Sequence, residues 1–374
     1  MLNHKISSKL LLSIVIVSFL YLIFYSINLD FFEKKFDYDE IDYINASKQG
    51  IYSNSFESGS LNIKQFIELG VLKSTSKKTG ENKVLPPEDT DPFLLRHFHP
   101  PLPVYFWSTA LNVLPENMHD DVKIKLSTLF LYLVFCYVFI ATVQRITSEK
   151  TFNYQQLIFT GIFFTSPILL NSFLVLNFHI FHAIACMIFI NTLVSYLSDN
   201  IVWNQYKLGI SITILLMTLE TGIIVIALSL IFIQLFKGSD ALKFFDLVRI
   251  FITFILSLIA LWPGVLWTGG PIKSLMMYVY RIFFQNNDEY SSLEKFNMLQ
   301  MLIQQSPAFF FFLAIIYILF VKKYFAEWEL IIPIMTGLFS LLFIANVAHF
   351  ATYFIPSLTL LAVCAASILR KNLR

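Results

Sequence analysis

The chain has 374 residues, of which 56% are hydrophobic and only 14% charged. Soluble domains carry about 25% charged residues, so a water-soluble core is excluded and lipid must be the solvent for most of the chain. The formal net charge of +2 leaves no footprint for nucleic acid, and the three cysteines, Cys136, Cys186 and Cys364, each sit inside an apolar run, which argues against a disulfide framework and for buried, inert thiols.

Residues 8–29 are almost entirely apolar and long enough to span a bilayer, with no small-residue cleavage site after them. They are expected to form an uncleaved signal-anchor. A long polar segment, 30–121, follows, and its first residues are acidic: Asp37, Asp39, Glu40 and Asp42, then Tyr43. Apolar residues at helical spacing predict short amphipathic helices on the membrane surface at 41–54 and 61–72. Residues 73–92 are rich in turn formers and read as a mobile loop. The segment ends in HFHPPLPVYFW (97–107), and 101–114, with prolines near its start, suits a juxtamembrane helix.

Further apolar runs of spanning length lie at 122–144, 154–175, 179–198, 248–267, 306–321, 329–345 and 350–369. The run 207–236 is ambiguous, because thirty residues as one helix would measure about 45 Å against a hydrocarbon core of roughly 30 Å. Charge decides it. Short basic segments occur at Lys5 and Lys9, Arg145 and Lys150, Lys237, Lys243 and Arg249, Lys322 and Lys323, and Arg370, Lys371 and Arg374. Short cytoplasmic loops carry excess Lys and Arg, and only an even number of crossings between 199 and 237 puts all these segments on one side. The run 207–236 is then a hairpin with Glu220 at its outer tip. The expected architecture is an all-α polytopic membrane protein of about ten transmembrane helices. It forms a single membrane domain over 1–374: a first span at 8–29, an extracytoplasmic loop at 30–121 and the remaining spans over 122–369. Both termini are inside. A second outer segment runs from Thr268 to about Gln305 and holds Gly269-Gly270-Pro271, Lys273 and Arg281.

The residues that can carry chemistry lie on the outer side. Asp39 and Glu40 are followed by Tyr43 at i+4 and i+3, so a helix puts the three on one edge. A carboxylate beside an apolar phase is poised to take a proton from a hydroxyl; a solvated acidic loop is the plainer alternative. His97 and His99 point the same way in an extended strip ending at Pro100. His179 and His182, at i and i+3, read as interfacial histidines, and His349 lies at another outer span end. These histidines could hold a donor phosphate or, as the one cofactor open to the chain, a divalent metal in a helping role, although His-x-His and His-x-x-His are weak metal patterns. Arg96, Lys273 and Arg281 are the outer cations available to a leaving phosphate. Glu220 is an ionisable group inside an apolar stretch, which is costly unless it faces a cavity or a partner. Asn171, Asn177 and Asn191 are explained by hydrogen bonds between spans.

A carboxylate pair after the first span, a His-Pro-Pro-Leu strip closing the loop and alternating spans resemble the GT-C glycosyltransferases. Within them the chain is similar to the branch of protein O-mannosyltransferases and lipid A aminoarabinose transferases. In that branch an Asp-Glu pair opens the first outer loop and the Asp is the base, and Asp39-Glu40 matches it. HFHPPLPVYFW (97–107) is similar to the family's surface Pro-Pro strip. Glu220-Thr221-Gly222 stands where the family has a Lys-Gly type pair at a hairpin tip, with the charge changed. HFATYFIPSLTLLAVCA (349–365) is similar to the family's Arg-Tyr-then-Pro span, with His349 and Tyr353 in its polar slots. The extra outer domain that some relatives carry is not expected.

The resemblance implies a multi-pass enzyme of the inner (plasma) membrane that inverts a sugar taken from a polyprenyl-phosphate donor onto a hydroxyl of a lipid, glycan or protein. Its site would comprise Asp39 and Glu40 as catalytic groups, with Tyr43, Arg96, His97, His99, Pro100, Glu220, Lys273, Arg281, His349 and Tyr353 binding substrate. The competing classes are a transporter or flippase for a lipid-linked glycan and a non-catalytic membrane subunit. A transporter would show internal repeats and charges at the bilayer midplane, whereas no repeat is visible here and 12 of the 25 acidic residues fall in 30–99.

Overall fold

A computed structural model describes residues 8–36, 38–60, 64, 99–199, 201–238, 241–284, 300, 302–310, 313–314, 317, 327–345 and 351–371. Among them the chain is all-α. The first span, α1, covers Ser8–Asn28. Two short helices follow, α2 (Tyr38–Lys48) and α3 (Gly50–Glu57), and then α4 (Leu102–Val113) and α5 (Asp120–Thr147). Helices α6 (Tyr154–Phe164) and α7 (Pro167–Phe173) form a bent pair, followed by α8 (Phe178–Ser198), α9 (Val202–Thr218), α10 (Gly222–Phe236) and α11 (Phe244–Leu261). The short α12 (Val265–Thr268) leads to α13 (Gly270–Phe284). The chain closes with α14 (Trp328–Ala345), a 3-10 turn at Ala351–Phe354 and α15 (Ile355–Lys371).

Among the described residues five helices are long and apolar enough to cross a membrane, or six if the bent pair is one span, and α10 and α14 are shorter apolar helices. This is a multi-pass membrane protein. Only 17% of the apolar window is buried in α1 and in α11, against 72% in α8 and 78% in Thr352–Arg370. Helices α8 and α15 are therefore the core, while α1 and α11 turn side chains such as Val17, Phe24, Phe251 and Leu256 outward to lipid. Lipid tails are as apolar as leucine, so close packing and hydrogen bonds must hold such helices together. Gly209 lets α9 approach α11 so closely that a Cβ there would lie 2.7 Å from the Ile250 carbonyl oxygen. Hydroxyl pairs tie α8 to α9 (Thr192–Ser211, 2.7 Å), α9 to α11 (Thr213–Ser257, 2.6 Å) and α10 to α14 (Ser229–Thr336, 3.2 Å). The Tyr25 hydroxyl donates to Asn171 Oδ1 at 2.9 Å, which joins α1 to α7. The three cysteines are buried and free.

Three expected elements are corrected, each by local backbone chemistry. The run 154–175 is not one straight span. Pro167 disfavours the α conformation at Ser166 and starts a new helix as its first residue, and the pair bends by 50°. The run 248–267 ends as a helix at Leu261, because Pro263 follows Trp262. The amphipathic helix of 41–54 is two helices, broken at Gln49 with Gly50 at φ +82°. Nor do these two simply lie on a surface. They pack against α4, Asn54 Nδ2 donates to Ala46 O at 2.7 Å, and the Ser108 hydroxyl donates to Ser47 O. Apart from residue 64, the helix expected at 61–72 lies outside the described residues, as do the loop 73–92 and half of 306–321.

Charged side chains gather at both ends of the bundle, on different elements. At one end of the bundle Arg145 pairs with Asp199, Lys237 donates to the Leu197 carbonyl and lies 3.7 Å from the Trp328 ring centroid, and Arg370 meets Glu149 at 3.4 Å. At the opposite end lie the start of α8, the end of α9, the start of α10 and the segments 30–60 and 99–118. Helix α9 begins at the basic end, where Asn204 Nδ2 donates to Ser195 O at 3.0 Å, and α10 returns to it through Lys237. The run 202–236 therefore reverses direction at residues 219–221, with Glu220 at the turn.

Candidate functional site

The end of the bundle opposite the basic cluster gathers residues that are far apart in sequence. Helix α2 carries Glu40 and Asp42, both buried, with 4% and 5% exposure. Glu40 Oε1 accepts a hydrogen bond at 2.9 Å from the backbone amide of Leu176, in the link between α7 and α8. Lys125, 3% exposed, donates to the carbonyls of Phe32 (3.2 Å) and Lys34 (2.6 Å) and stands 4.6 Å from the Phe36 ring centroid. It is within electrostatic reach of both Glu40 and Asp121. The acidic helix is thus held by a backbone donor, and a buried ammonium group anchors the segment that leads into it.

An aromatic wall stands beside it. Tyr43 stacks on Phe178 (4.7 Å between centroids) and on Trp107 (5.6 Å), and His99 meets Phe178 edge-on at 5.3 Å. Pro101 caps α4, and Pro103 falls in its first turn, where a missing N–H costs nothing. The strip 99–107 therefore reaches the wall with a rigid entry. His99 Nδ1 lies 3.1 Å from Glu220 Oε2, and the two side chains are 16% and 1% exposed. Glu220 is thus a buried carboxylate with a partner, as such a group requires. Next to Phe178, the His179 ring packs against Tyr353 with the planes tilted by 40° and the centroids 4.2 Å apart.

The geometry brings together Glu40, Tyr43, His99, Pro100, Glu220 and Tyr353 at one end of the bundle, and keeps others apart or out of view. The backbone of Asp39 is in the first turn of α2, one turn before Tyr43, and its side chain lies outside the described residues. So does the side chain of Arg281 on α13, and Arg96, His97 and His349 lie outside them altogether. Lys273 is half-buried on α13, and burial holds its ammonium below the usual lysine range. That helix follows a loop stitched to α3: Gly264 N donates to Ser55 O at 2.9 Å, and the indoles of Trp262 and Trp267 donate to Ser58 O and Phe56 O, both at 3.2 Å. A Cβ at Gly264 would lie 2.4 Å from Phe56 O, so the contact requires glycine. Together with the Tyr105 hydroxyl on Leu261 O (2.9 Å), these bonds put the two polar segments, near 38–60 and after 262, on the same side.

Several partners were invisible in the sequence. Phe178 and Trp107 are the wall; Trp107 closes the strip 97–107, but nothing distinguishes Phe178 among the 40 Phe. Asn177, expected to bridge spans, is instead the N-cap of α8, accepting from Ile180 N at 3.2 Å. His182 is not interfacial but fully inside, bonded to two threonines. Among the described residues no three His, Cys, Asp or Glu side chains come together as a metal site.

No family model and no curated protein matches this sequence. Among solved structures the chain is similar to ArnT from Cupriavidus metallidurans bound to undecaprenyl phosphate, with a TM-score of 0.54 and 13% identity over 73% of this chain and 50% of that one. It is similar to the apo state of the same protein, with a TM-score of 0.54 and 12% identity over the same shares. The chain therefore spans half the length of these structures. At that identity the likeness is one of fold, and it is the GT-C fold, as in the lipid A aminoarabinose transferases, that the motifs implied.

Proposed function

We propose that this chain is a membrane glycosyltransferase of the GT-C type that moves a sugar from a polyprenyl-phosphate donor to a hydroxyl acceptor. The observation that carries the reading is the convergence of α2, His99 and Glu220 on one aromatic-walled end of the bundle. A second support is the fold likeness to a protein solved with undecaprenyl phosphate. In this reading the chain is one membrane domain of about ten spans in the inner membrane, and the segment 30–121 is extracytoplasmic. The basic cluster at the other end of the bundle agrees with that orientation.

Asp39 is the base. It accepts the acceptor hydroxyl's proton while the acceptor oxygen bonds to the anomeric carbon and the bond from that carbon to the phosphate oxygen breaks. The configuration inverts in one displacement, and the polyprenyl phosphate leaves with the electron pair. Glu40 orients the acceptor or assists, and its bond to the Leu176 amide anchors α2, the helix that carries both carboxylates. Tyr43 and Tyr353 line the sugar pocket, and Pro100 shapes its rim. Arg96, His97, His99, Lys273, Arg281 and His349 meet the phosphate, whose charge grows as the bond breaks. Glu220 holds His99 in place. The acceptor is a hydroxyl of a lipid, glycan or protein. A divalent metal would have only a helping role, beside the phosphate.

The test is Asp39→Asn in the full chain, assayed with an undecaprenyl-phosphate sugar. Turnover should fall about 10²–10⁴-fold, the usual contribution of a positioned base, with thermal stability unchanged. A variant that keeps wild-type turnover would remove Asp39 as the base. A wild-type protein that moves the lipid across a vesicle without consuming the sugar would favour a flippase.

A further inference from the structure

The Glu220 turn is braced from behind. His182 lies inside α8, 2% exposed, and reaches both sides of the break between α9 and α10. Its Nδ1 is 3.0 Å from Thr218 Oγ1 and its Nε2 is 3.3 Å from Thr221 Oγ1. The direction of these bonds follows from counting protons. Thr218 gives its single hydroxyl proton to Leu215 O at 2.7 Å, so towards His182 it can only accept. Nδ1 therefore carries a ring proton, and in a neutral ring Nε2 accepts and Thr221 is the donor. The circuit runs from Thr221 through the ring to Thr218 and into the α9 backbone, across the residues that carry Glu220. Gly222 makes the turn tight: a Cβ there would lie 2.9 Å from Leu215 O.

Beside the imidazole is a small cavity lined by His182, Thr221, Ser340 and Ser357 among apolar neighbours, with about 10 Å³ open to a water centre. That is close to the least space that holds one water. The Ser340 and Ser357 hydroxyl oxygens are buried and find no hydrogen-bond partner among the described residues. They come from α14 and α15, so a molecule bridging them to the threonine would tie the turn to the last two helices. The lining offers hydroxyls and a neutral ring, which suits water rather than an ion.

We infer that His182 is the positioning residue of the Glu220–His99 pair, and that one water bound by Ser340 and Ser357 completes its brace. The functional part rests on the proposed polyprenyl-phosphate site; the hydrogen-bond circuit does not.

The experiment uses the full chain in detergent with ¹⁵N-labelled histidine, His182→Gln identifying the signal. The expected result at neutral pH is a neutral ring protonated at Nδ1; the Nε2-protonated tautomer or an imidazolium would overturn the circuit. Ser340→Ala with Ser357→Ala should lower Tm if the hydroxyls hold water; an unchanged or raised Tm means a dry cavity, since deleting unsatisfied hydroxyls is neutral or stabilising, and removes the water. Binding of undecaprenyl phosphate gives the functional arm. His182→Leu and Thr221→Val should each weaken it about 10-fold, as loss of a buried hydrogen bond does, while His182→Gln, which can both donate and accept, restores it. His182→Leu should add less than about 2-fold on a Glu220→Gln background. Multiplying effects, or no effect of Thr221→Val, would refute positioning through Glu220. If the wild-type chain does not bind the lipid, the proposed function fails, the positioning claim fails with it, and the tautomer and the serine variants alone decide the brace.

Discussion

The His99–Glu220 contact is the sharpest quantitative test of the site. At 3.1 Å, a protonated His99 and an ionised Glu220 would attract with about 5 kcal/mol at an effective dielectric constant of 20. Desolvation offsets much of that, so the pair's net coupling should be only about 1–3 kcal/mol. The single variants should nevertheless be unequal. Replacing His99 by Leu leaves a carboxylate that is 1% exposed without this partner, at a cost of about 3–5 kcal/mol. Replacing Glu220 by Met swaps the charge for an apolar chain of similar length and leaves a histidine that reaches water at 16% exposure, so the cost should be about 1–2 kcal/mol. With an unfolding entropy of about 2.1 cal/mol/K per residue over 374 residues, 1 kcal/mol moves Tm by roughly 1.3 °C. His99→Leu should then lower Tm by about 4–6 °C, Glu220→Met by about 1–3 °C, and the double variant by less than the sum. The assay is reversible unfolding in mixed micelles, run as a double-mutant cycle. Equal single effects, or strict additivity, would refute the claim that the pair is buried and coupled.

Three further predictions concern the supports of the site. Lys125→Met removes two hydrogen bonds to carbonyls and the contact with Phe36, and should cost about 2–4 kcal/mol, read as loss of Tm with release of the 30–36 segment to limited proteolysis. Gly264→Ala forces a carbon to within 2.4 Å of Phe56 O and should cost about 1–3 kcal/mol, while Gly238→Ala, where nothing lies within 4 Å, should cost only about 1 kcal/mol from its positive φ; denaturation midpoints distinguish the two. Burial lowers the affinity of Lys273 for its proton, so its charge opposes folding at neutral pH, and that penalty is relieved as pH rises towards the ordinary lysine value. Lys273→Met should therefore leave Tm equal or higher at pH 7, with the difference shrinking at alkaline pH, while weakening binding of undecaprenyl phosphate in a salt-dependent way; a lower Tm at pH 7 would contradict the sign.

The solvent of this protein could be read from the sequence, because hydropathy acts over twenty residues at a time and tolerates error in any one of them. So could the reversal at Glu220, since the positive-inside asymmetry of Arg145, Lys237 and Arg370 constrains how often the chain crosses between them. The motifs 39–43 and 97–107 stood out because acidic pairs and His-Pro-Pro runs are rare beside apolar spans. Other features depended on distance in space, which no local pattern records. The amide that holds Glu40 belongs to Leu176, 136 residues away. Any of many phenylalanines could have been the wall that Phe178 provides. His182 looked like an interfacial histidine, since i, i+3 spacing fixes a helix face but not the depth of that face in the bundle. Breaks at Pro167 and Pro263 have local causes, yet how far a proline bends a helix is set by what packs on each side of it. Sequence decided which segments meet lipid and which carry charge; tertiary packing decided which of the polar groups meet one another, because pairing energies fall off within a few ångströms and the chain brings those groups together only on folding.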